Sequence, residues 1–261
     1  MWLLNEFDLG MARSGQHHTV RLLAYALGLN YAWGVEFVEL SNGNKEEQQR
    51  TSGQTNQHGL HGNAILSRWP LHEVEVVRMP GMAPLFNGTG SETAFGHEKR
   101  LGSRMTIFAN TGPPASKLIV AATHTQTSWG RHKTHTSAVV QIMLSHLQGR
   151  VSGANASKWL MGKDASDPLV LLGGDTWPET CKWLGLRSMV RGRSPTAVVT
   201  QGKVVVTRNK PMDDYICGSA GFTTFGAPRR IAGVGHPTNG SGLPEFTLSD
   251  HVFVSTQLSW P

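Results

Sequence analysis

The feature that most constrains the fold is the apolar run Val170 to Leu172, which leads through Gly173 and Gly174 to the acid Asp175. Its length and composition are typical of a buried strand, and the two glycines indicate where the strand ends. An acid in this position is expected at the rim of a hydrophobic core. Because Gly-Gly-Asp also forms ordinary turns, the other strand ends must decide whether the acid has a function.

Other predicted strands also have an acid or an imidazole near one end. A lone histidine at a strand end is usually structural, but a position shared by several strands favours a common site. Strand ends that meet at one rim would bring these groups together. In chain order the groups are Glu6, His124, Asp175, Asp214, Asp250 and His251.

Strands, helices and long loops alternate along the chain, which predicts a layered α/β sandwich. Helices are expected over residues 18–29, where apolar residues recur at helical spacing, and over 132–147, where His132, His135 and His146 are expected on the solvent side. A hairpin is expected to turn at Gln201-Gly202. Polar surface loops are predicted at 41–59 and 80–99, a helical turn at 179–184, and irregular structure at 218–244.

The composition suits one domain and an anionic partner. A chain of 261 residues with 39% hydrophobic residues can bury one large core. The formal charge of +6 favours anionic partners such as nucleic acid or phosphorylated headgroups, although no dense basic block is present. Cys181 and Cys217 give no disulfide framework. The first residues lack a signal-peptide pattern or a membrane span, so a cytoplasmic or other intracellular location is expected.

The ordered motifs of the chain resemble those of the endonuclease/exonuclease/phosphatase superfamily, whose fold is deoxyribonuclease-I-like. The resemblance implies a four-layer α/β sandwich, in which helices flank two packed, mostly antiparallel sheets, as a single domain over residues 1–261. It also implies a monomer that hydrolyses phosphodiesters or phosphomonoesters with Mg²⁺ or Mn²⁺. The matching motifs, in order, are Asn5-Glu6, Gly62 to Arg68, Thr123-His124, Gly174-Asp175, Asp214 to Ile216 and Ser249-Asp250-His251.

The resemblance implies a role for each of these side chains. Glu6 and Asp250 would hold the divalent cation, and Asp175 would orient and deprotonate the attacking water. His251, aligned by Asp214, would hydrogen-bond the scissile phosphate.

Three further residues complete the expected site. His124 would hold the phosphate or protonate the leaving group. Asn63 and Arg104 are candidate substrate-binding residues. This set suits in-line displacement at phosphorus, which needs a cation, an aligned water and donors for the phosphate oxygens.

Two departures from the family pattern lead to further expectations. Family members normally begin with an asparagine-bearing strand before the glutamate strand, so the resemblance predicts that the chain is N-terminally incomplete. The family sequence Gly-Asp-x-Asn has become Gly174-Asp175-Thr176-Trp177, and an indole offers one donor and no acceptor. Loss of one preorganised donor commonly slows catalysis by about a hundredfold or more.

Three functions therefore remain open. The first is a divalent-metal-dependent hydrolase of phosphate esters, a phosphodiesterase or nuclease acting on nucleic acid, a lipid headgroup or a nucleotide. The second is a weakened or inactive relative that serves as a binding or scaffolding module. The third is a zinc hydrolase that uses the many histidines, which is disfavoured because His132 and His135 lack a partner acid.

Overall fold

A computed structural model shows two β-sheets packed face to face. Backbone and side chains are described for residues 1–79, 99–113, 118–125, 141, 145–146 and 169–175, except that residues 46 and 169 are described by backbone alone; strands within 187–259 are also described by backbone alone. The helices are α1 (Thr19–Leu27) and α2 (Lys45–Arg50). The strands are β1 (Trp2–Leu9), β2 (Asn30–Glu39), β3 (Leu60–Ser67), β4 (His72–Arg78), β5 (Arg100–Gly102), β6 (Met105–Thr111), β7 (Leu118–His124), β8 (Leu169–Asp175), β9 (Arg187–Thr200), β10 (Lys203–Gly218), β11 (Thr223–Ile231) and β12 (Phe253–Ser259).

The two sheets are mostly antiparallel. The first has the order β1-β3-β2-β5, and the second has the order β4-β6-β7-β8-β10-β9. Only β7 and β8, among the pairs in these sheets, run parallel. Strands β11 and β12 form a separate two-stranded sheet. This arrangement confirms the α/β sandwich predicted from the sequence.

The hydrophobic core lies between the sheets. Ala32 and Ile65 of the first sheet pack against apolar side chains of β6, β7 and β8. On the outer face of the first sheet, α1 buries Val20 and Ala24 against β1 and β3. The helix ends at Gly28, which adopts the left-handed conformation that glycine favours at this position. The inner core residues of the second sheet include Met105, Ile107, Val120, Ala122 and Leu171.

The prediction that residues 41–59 form only a loop is wrong, because α2 lies within them. Asn44 caps this helix: its side-chain oxygen accepts from the Glu47 amide at 3.0 Å, and the Glu47 carboxylate accepts from the Asn44 amide at 2.7 Å. This reciprocal pair is a capping box, which stabilises even a short polar helix. The spacing of Asn44 and Glu47 was the signal for it in the sequence.

The C-terminal strands follow the prediction in part. Lys203 pairs with Thr200, as expected for a hairpin that turns at residues 201–202. The prediction of irregular structure over 218–244 is wrong for β11, which pairs with β12. Pairing with a strand that is distant in sequence can stabilise a strand whose own residues show a weak β pattern. The predicted helical turn at 179–184 lies outside the described residues.

The prediction that His146 lies on the solvent side is wrong. Its ring lies 4.4 Å from that of Phe108, and its Nε2 is 3.2 Å from a Glu75 carboxylate oxygen. Residues 141, 145 and 146 are helical, and His132 and His135 lie outside the described residues. In the part of the chain that the structure describes, no helix is both long and apolar enough to cross a membrane.

Gly174, next to Asp175, offers a direct test of the packing between β7 and β8. Its φ is +135°, and an added Cβ would overlap the carbonyl oxygen of Thr123. We expect Gly174→Ala to lower the free energy of unfolding by about 3 kcal/mol or more, because backbone must move. Gly28→Ala is the matched control: its φ of +64° has open space around it, so we expect a loss of only about 1 kcal/mol.

Urea denaturation of both variants measures the difference. Equal losses at the two glycines would contradict the tight approach of Gly174 to Thr123.

Candidate active site

Two β-bulges next to β3 place acids of the first sheet at the interface between the sheets. In β1, Asn5 and Glu6 lie opposite the single residue Asn63, between the pairs Leu4–Ala64 and Phe7–Gly62. In β2, Glu36 is the additional residue between the pairs Val35–Gly62 and Phe37–His61. A bulge bends a strand and redirects side chains, which is why bulges are common beside active sites.

Glu6 has an unusual backbone conformation at its bulge. Its φ is +62°, a left-handed value that a non-glycine residue seldom adopts. Such strain persists only where the surrounding structure holds it, and it is concentrated at functional sites. The local geometry of β1 therefore marks Glu6 as more than a packing residue.

The second sheet contributes a row of strand ends. His124 of β7 pairs with Asp175 of β8, and Asp175 pairs with Asp214 of β10. The His124 Nε2 atom lies 3.5 Å from Asp175 Oδ2 and 4.0 Å from Glu6 Oε1. Side chains from both sheets therefore meet at this end of the sandwich.

Asn5 connects the two sheets at the same point. Its amide nitrogen donates to the Asn63 side-chain oxygen and to the Thr123 carbonyl oxygen, each at 2.9 Å. Its amide oxygen accepts from the Asp175 backbone amide at 3.0 Å. Because the carboxamide has donors and an acceptor, it can join three strands at once.

A buried group of charges lies behind His124. Glu36 is fully buried, with its carboxylate 2.9 Å from Arg104 Nη1 and 3.0 Å from His124 Nδ1. Arg104 Nη1 is also 2.6 Å from His124 Nε2. Removal of charges from water is costly unless they are paired, as they are here.

These charges change the acidities of the buried groups. Burial and Arg104 favour neutral His124, but Glu36 and Asp175 outweigh them and raise the pKa of His124 to about 9. Burial alone would raise the pKa of Glu36, yet the positive charges of His124 and Arg104 lower it. The site therefore keeps an ionised carboxylate beside a charged imidazole at neutral pH.

Among the site acids whose side chains are described, Glu6 is the most open to solvent. Its side chain is 42% exposed, whereas that of Asp175 is 13% exposed. Burial alone would raise the pKa of Glu6, but His61, His124 and Arg104 together hold that pKa well below its usual range. Glu6 is thus an ionised carboxylate that can reach a bound ion or substrate.

A second polar cluster adjoins Glu6 on β1 and β3. His61 Nδ1 lies 2.7 Å from Asp8 Oδ1, and Arg13 binds both Asp8 carboxylate oxygens, at 2.9 Å and 2.8 Å. Arg13 also contacts Glu47 at 3.2 Å. Burial would raise the pKa of Asp8, but the Arg13 and His61 contacts lower it far below the usual value.

The donor atoms at the site suit a hard cation. Carboxylate oxygens are the ligands that Mg²⁺ prefers, and Glu6 presents one at the solvent-facing side. Asp175 Oδ1 is buried and has no hydrogen-bond partner in the described part of the chain. Among residues with described side chains, no three acids, histidines or cysteines are close enough to hold a metal. The predicted second ligand, Asp250, lies outside the described residues.

The structure brings together most of the predicted site. Glu6, Asn63, Arg104, His124 and Asp175 lie within one connected network. Asn63 and Arg104 are buried in it: Asn63 bonds to Asn5 and Met105, and Arg104 to Glu36. Asp214 is placed by its register opposite Asp175. Asp250, His251 and Trp177 lie outside the described residues.

Glu36 and His61 lie at the site although neither was expected there from the sequence. Glu36 shares the strand parity of the buried residues Ala32 and Gly34, so an acid at that position was a signal of an inward-facing charge. His61 gave no comparable signal, because only the pairing of β1 with β3 places it opposite Asp8.

Solved structures share this architecture. An endonuclease/exonuclease/phosphatase from Beutenbergia cavernae aligns with a TM-score of 0.55 and 18% identity over 99% of this chain. This chain spans 62% of the length of that protein. An endonuclease/exonuclease/phosphatase from Bacteroides vulgatus aligns with a TM-score of 0.50 and 10% identity over 99% of this chain and 85% of its own. No protein-family model and no curated protein matches the sequence.

The raised pKa of His124 predicts that stability falls in mild alkali. The stabilisation by charged His124 is complete below its ordinary pKa near 6.5 and is lost as pH rises through about 9. The whole effect is on the order of 3 kcal/mol. We therefore expect the unfolding free energy of the wild type to fall more steeply over this range than that of His124→Gln.

Urea titrations at a series of pH values measure the two slopes. Parallel slopes for the wild type and His124→Gln would contradict the proposed charge on His124.

Proposed function

We propose that this chain, which has the endonuclease/exonuclease/phosphatase fold, is a divalent-metal-dependent hydrolase of phosphate esters. The observation that carries the proposal is the meeting of Glu6, His124 and Asp175 at one end of the two sheets, with side-chain atoms 3.5 to 4.0 Å apart. An exposed carboxylate can hold a cation, a second carboxylate can align a water, and a charged imidazole can donate to a phosphate oxygen, which meets the needs of phosphoryl transfer to water.

Asp175 is the proposed base. Its Oδ1 is buried and has no partner among the described residues, while Oδ2 is 3.5 Å from His124 Nε2. Oδ1 is therefore the oxygen that would accept a proton from a water bound in the site. The backbone amide of Asp175 is fixed by Asn5 at 3.0 Å. A base held in place in this way can align a water molecule for in-line attack.

His124 is the proposed phosphate-binding or acid group. Glu36 orients the ring through Nδ1 at 3.0 Å, and Nε2 lies near Arg104 Nη1 at 2.6 Å, Asp175 at 3.5 Å and Glu6 at 4.0 Å. The pKa of about 9 keeps the imidazole charged at neutral pH, as needed to bind phosphate oxygen or protonate the leaving group. Arg104, behind the ring, adds positive charge to the same region.

Glu6 and Asp250 are the proposed ligands of Mg²⁺ or Mn²⁺. When bound, the cation neutralises charge that develops on the phosphate and leaving oxygen. The fit rests on the ionised, exposed carboxylate of Glu6 and on Asp175, which contacts the same His124 nitrogen and has one oxygen without a described partner. We further propose that Asp214 aligns His251 toward the phosphate and that Asn63 helps to shape the substrate site.

Hydrolysis of bis(p-nitrophenyl) phosphate with Mg²⁺ or Mn²⁺ tests the proposal. We expect turnover that EDTA abolishes, and a loss of about a thousandfold in kcat/KM for Asp175→Asn, because the base is removed. His251→Ala should also lower the rate.

Glu73→Gln is the control, since Glu73 lies on the exposed edge strand β4. Turnover that survives EDTA, or equal rates for Asp175→Asn and the control, would refute the hydrolase.

A binding or scaffolding role is the second candidate. It is favoured by the presence of Trp177 where the family pattern has asparagine. The indole replaces an amide at the position two residues after Asp175, and removal of one preorganised donor slows catalysis by about a hundredfold. We expect Trp177→Asn to raise the rate if the site is an enzyme weakened at this position. A wild type and a Trp177→Asn variant that both bind a phosphate ester without turnover would instead support a binding module.

A further inference from the structure

The buried cluster of Asp8, Arg13 and His61 lies beside Glu6 and has no role in the chemistry proposed above. Asp8 and His61 face one another as register partners on β1 and β3. Arg13, from the 3-10 turn after β1, completes the group by binding both oxygens of Asp8. All these contacts converge on the ring of His61.

The ring of His61 is fixed in one orientation. Two groups compete for Nδ1: Asp8 Oδ1, which can only accept, at 2.7 Å, and Arg13 Nη2, which can only donate, at 3.0 Å. Arg13 Nη2 already donates to Asp8 Oδ1 at 2.8 Å, so we assign the proton to Nδ1, where it meets the closer carboxylate oxygen. Phe37 stacks on the ring with a centroid distance of 6.3 Å and an interplanar angle of 15°. With Nδ1 held by Asp8 and one face held by Phe37, Nε2 must point away from the cluster.

Nε2 of His61 points toward Glu6. It is buried and has no hydrogen-bond partner among the residues that the structure describes, and it lies 3.9 Å from Glu6 Oε1. A buried polar atom without a partner is costly and calls for a reason. Glu6, for its part, has a strained backbone and a 42% exposed side chain, and its Oε1 lies between His61 Nε2 at 3.9 Å and His124 Nε2 at 4.0 Å.

We propose that His61 is a positioning residue for Glu6, directed by Asp8 and Arg13. Nε2 forms an ion-pair contact with Oε1 and keeps the carboxylate turned toward the cation site, leaving Oε2 for the ion. The inference rests on the proposed function, since it takes Glu6 as a ligand of the divalent cation. Substitution of a residue that orients a metal ligand through a hydrogen bond or ion pair commonly weakens metal binding by about 10- to 100-fold.

Binding of Mn²⁺ to the full chain, measured by electron paramagnetic resonance, tests the proposal. We expect His61→Gln to weaken Mn²⁺ binding by about 10- to 100-fold. His72→Gln is the matched control, because His72 is exposed on β4, and it should bind as the wild type does. Asp8→Asn keeps the ring but removes its orienting charge, so it should weaken binding in the same direction.

Repeating His61→Gln in a Glu6→Gln background distinguishes a positioning role of His61 from a purely structural one. If His61 acts through Glu6, the double variant binds Mn²⁺ no more weakly than Glu6→Gln alone. An equal loss in both backgrounds would overturn the proposal. If His61→Gln does not fold, the comparison of Asp8→Asn in the two backgrounds gives the same decision.

The outcomes also separate this inference from the proposed function. A wild type that binds Mn²⁺ and a folded His61→Gln variant of unchanged affinity would overturn the positioning role alone. A folded wild type that does not bind Mn²⁺ would overturn both.

Discussion

The side chain of Asn5 is the contact on which the site depends. Its amide donates to Asn63 and to the Thr123 carbonyl and accepts from the Asp175 backbone, so one carboxamide joins β1 of the first sheet to β7 and β8 of the second. An aspartate in its place could accept but not donate. This contact ties together the strand ends that carry Glu6 and Asp175, and it adds to the apolar packing between the sheets.

Strain and buried charge are concentrated around that contact. The two bulges interrupt the pairing of β3 on both sides, at Glu6 and at Glu36. Burial of an unpaired acid would be costly, but Glu36 is paired with Arg104 and His124, and Asp8 with Arg13 and His61. The regular parts of the sheets stabilise the fold and so offset the strain at the irregular positions, which provide the candidate catalytic groups.

The sequence predicted the strand ends better than the contacts between them. Asp175 and His124 could be found because apolar runs end at them, and the α/β sandwich followed from the order of elements. Glu36 and His61 were missed because bulges and cross-strand partners depend on register, which a single strand does not encode. The helix α2 was missed because its capping box lies in a polar segment without apolar periodicity, and β11 because its strand depends on pairing with β12.

Anomalous diffraction from crystals soaked with Mn²⁺ and a slowly hydrolysed phosphate ester would test the central claim most directly. The account predicts one Mn²⁺ peak at the Glu6 carboxylate, with ester phosphate density in contact with His124. A Mn²⁺ peak and bound ester elsewhere on an otherwise ordered protein, with Glu6 and Asp175 free of both, would contradict it.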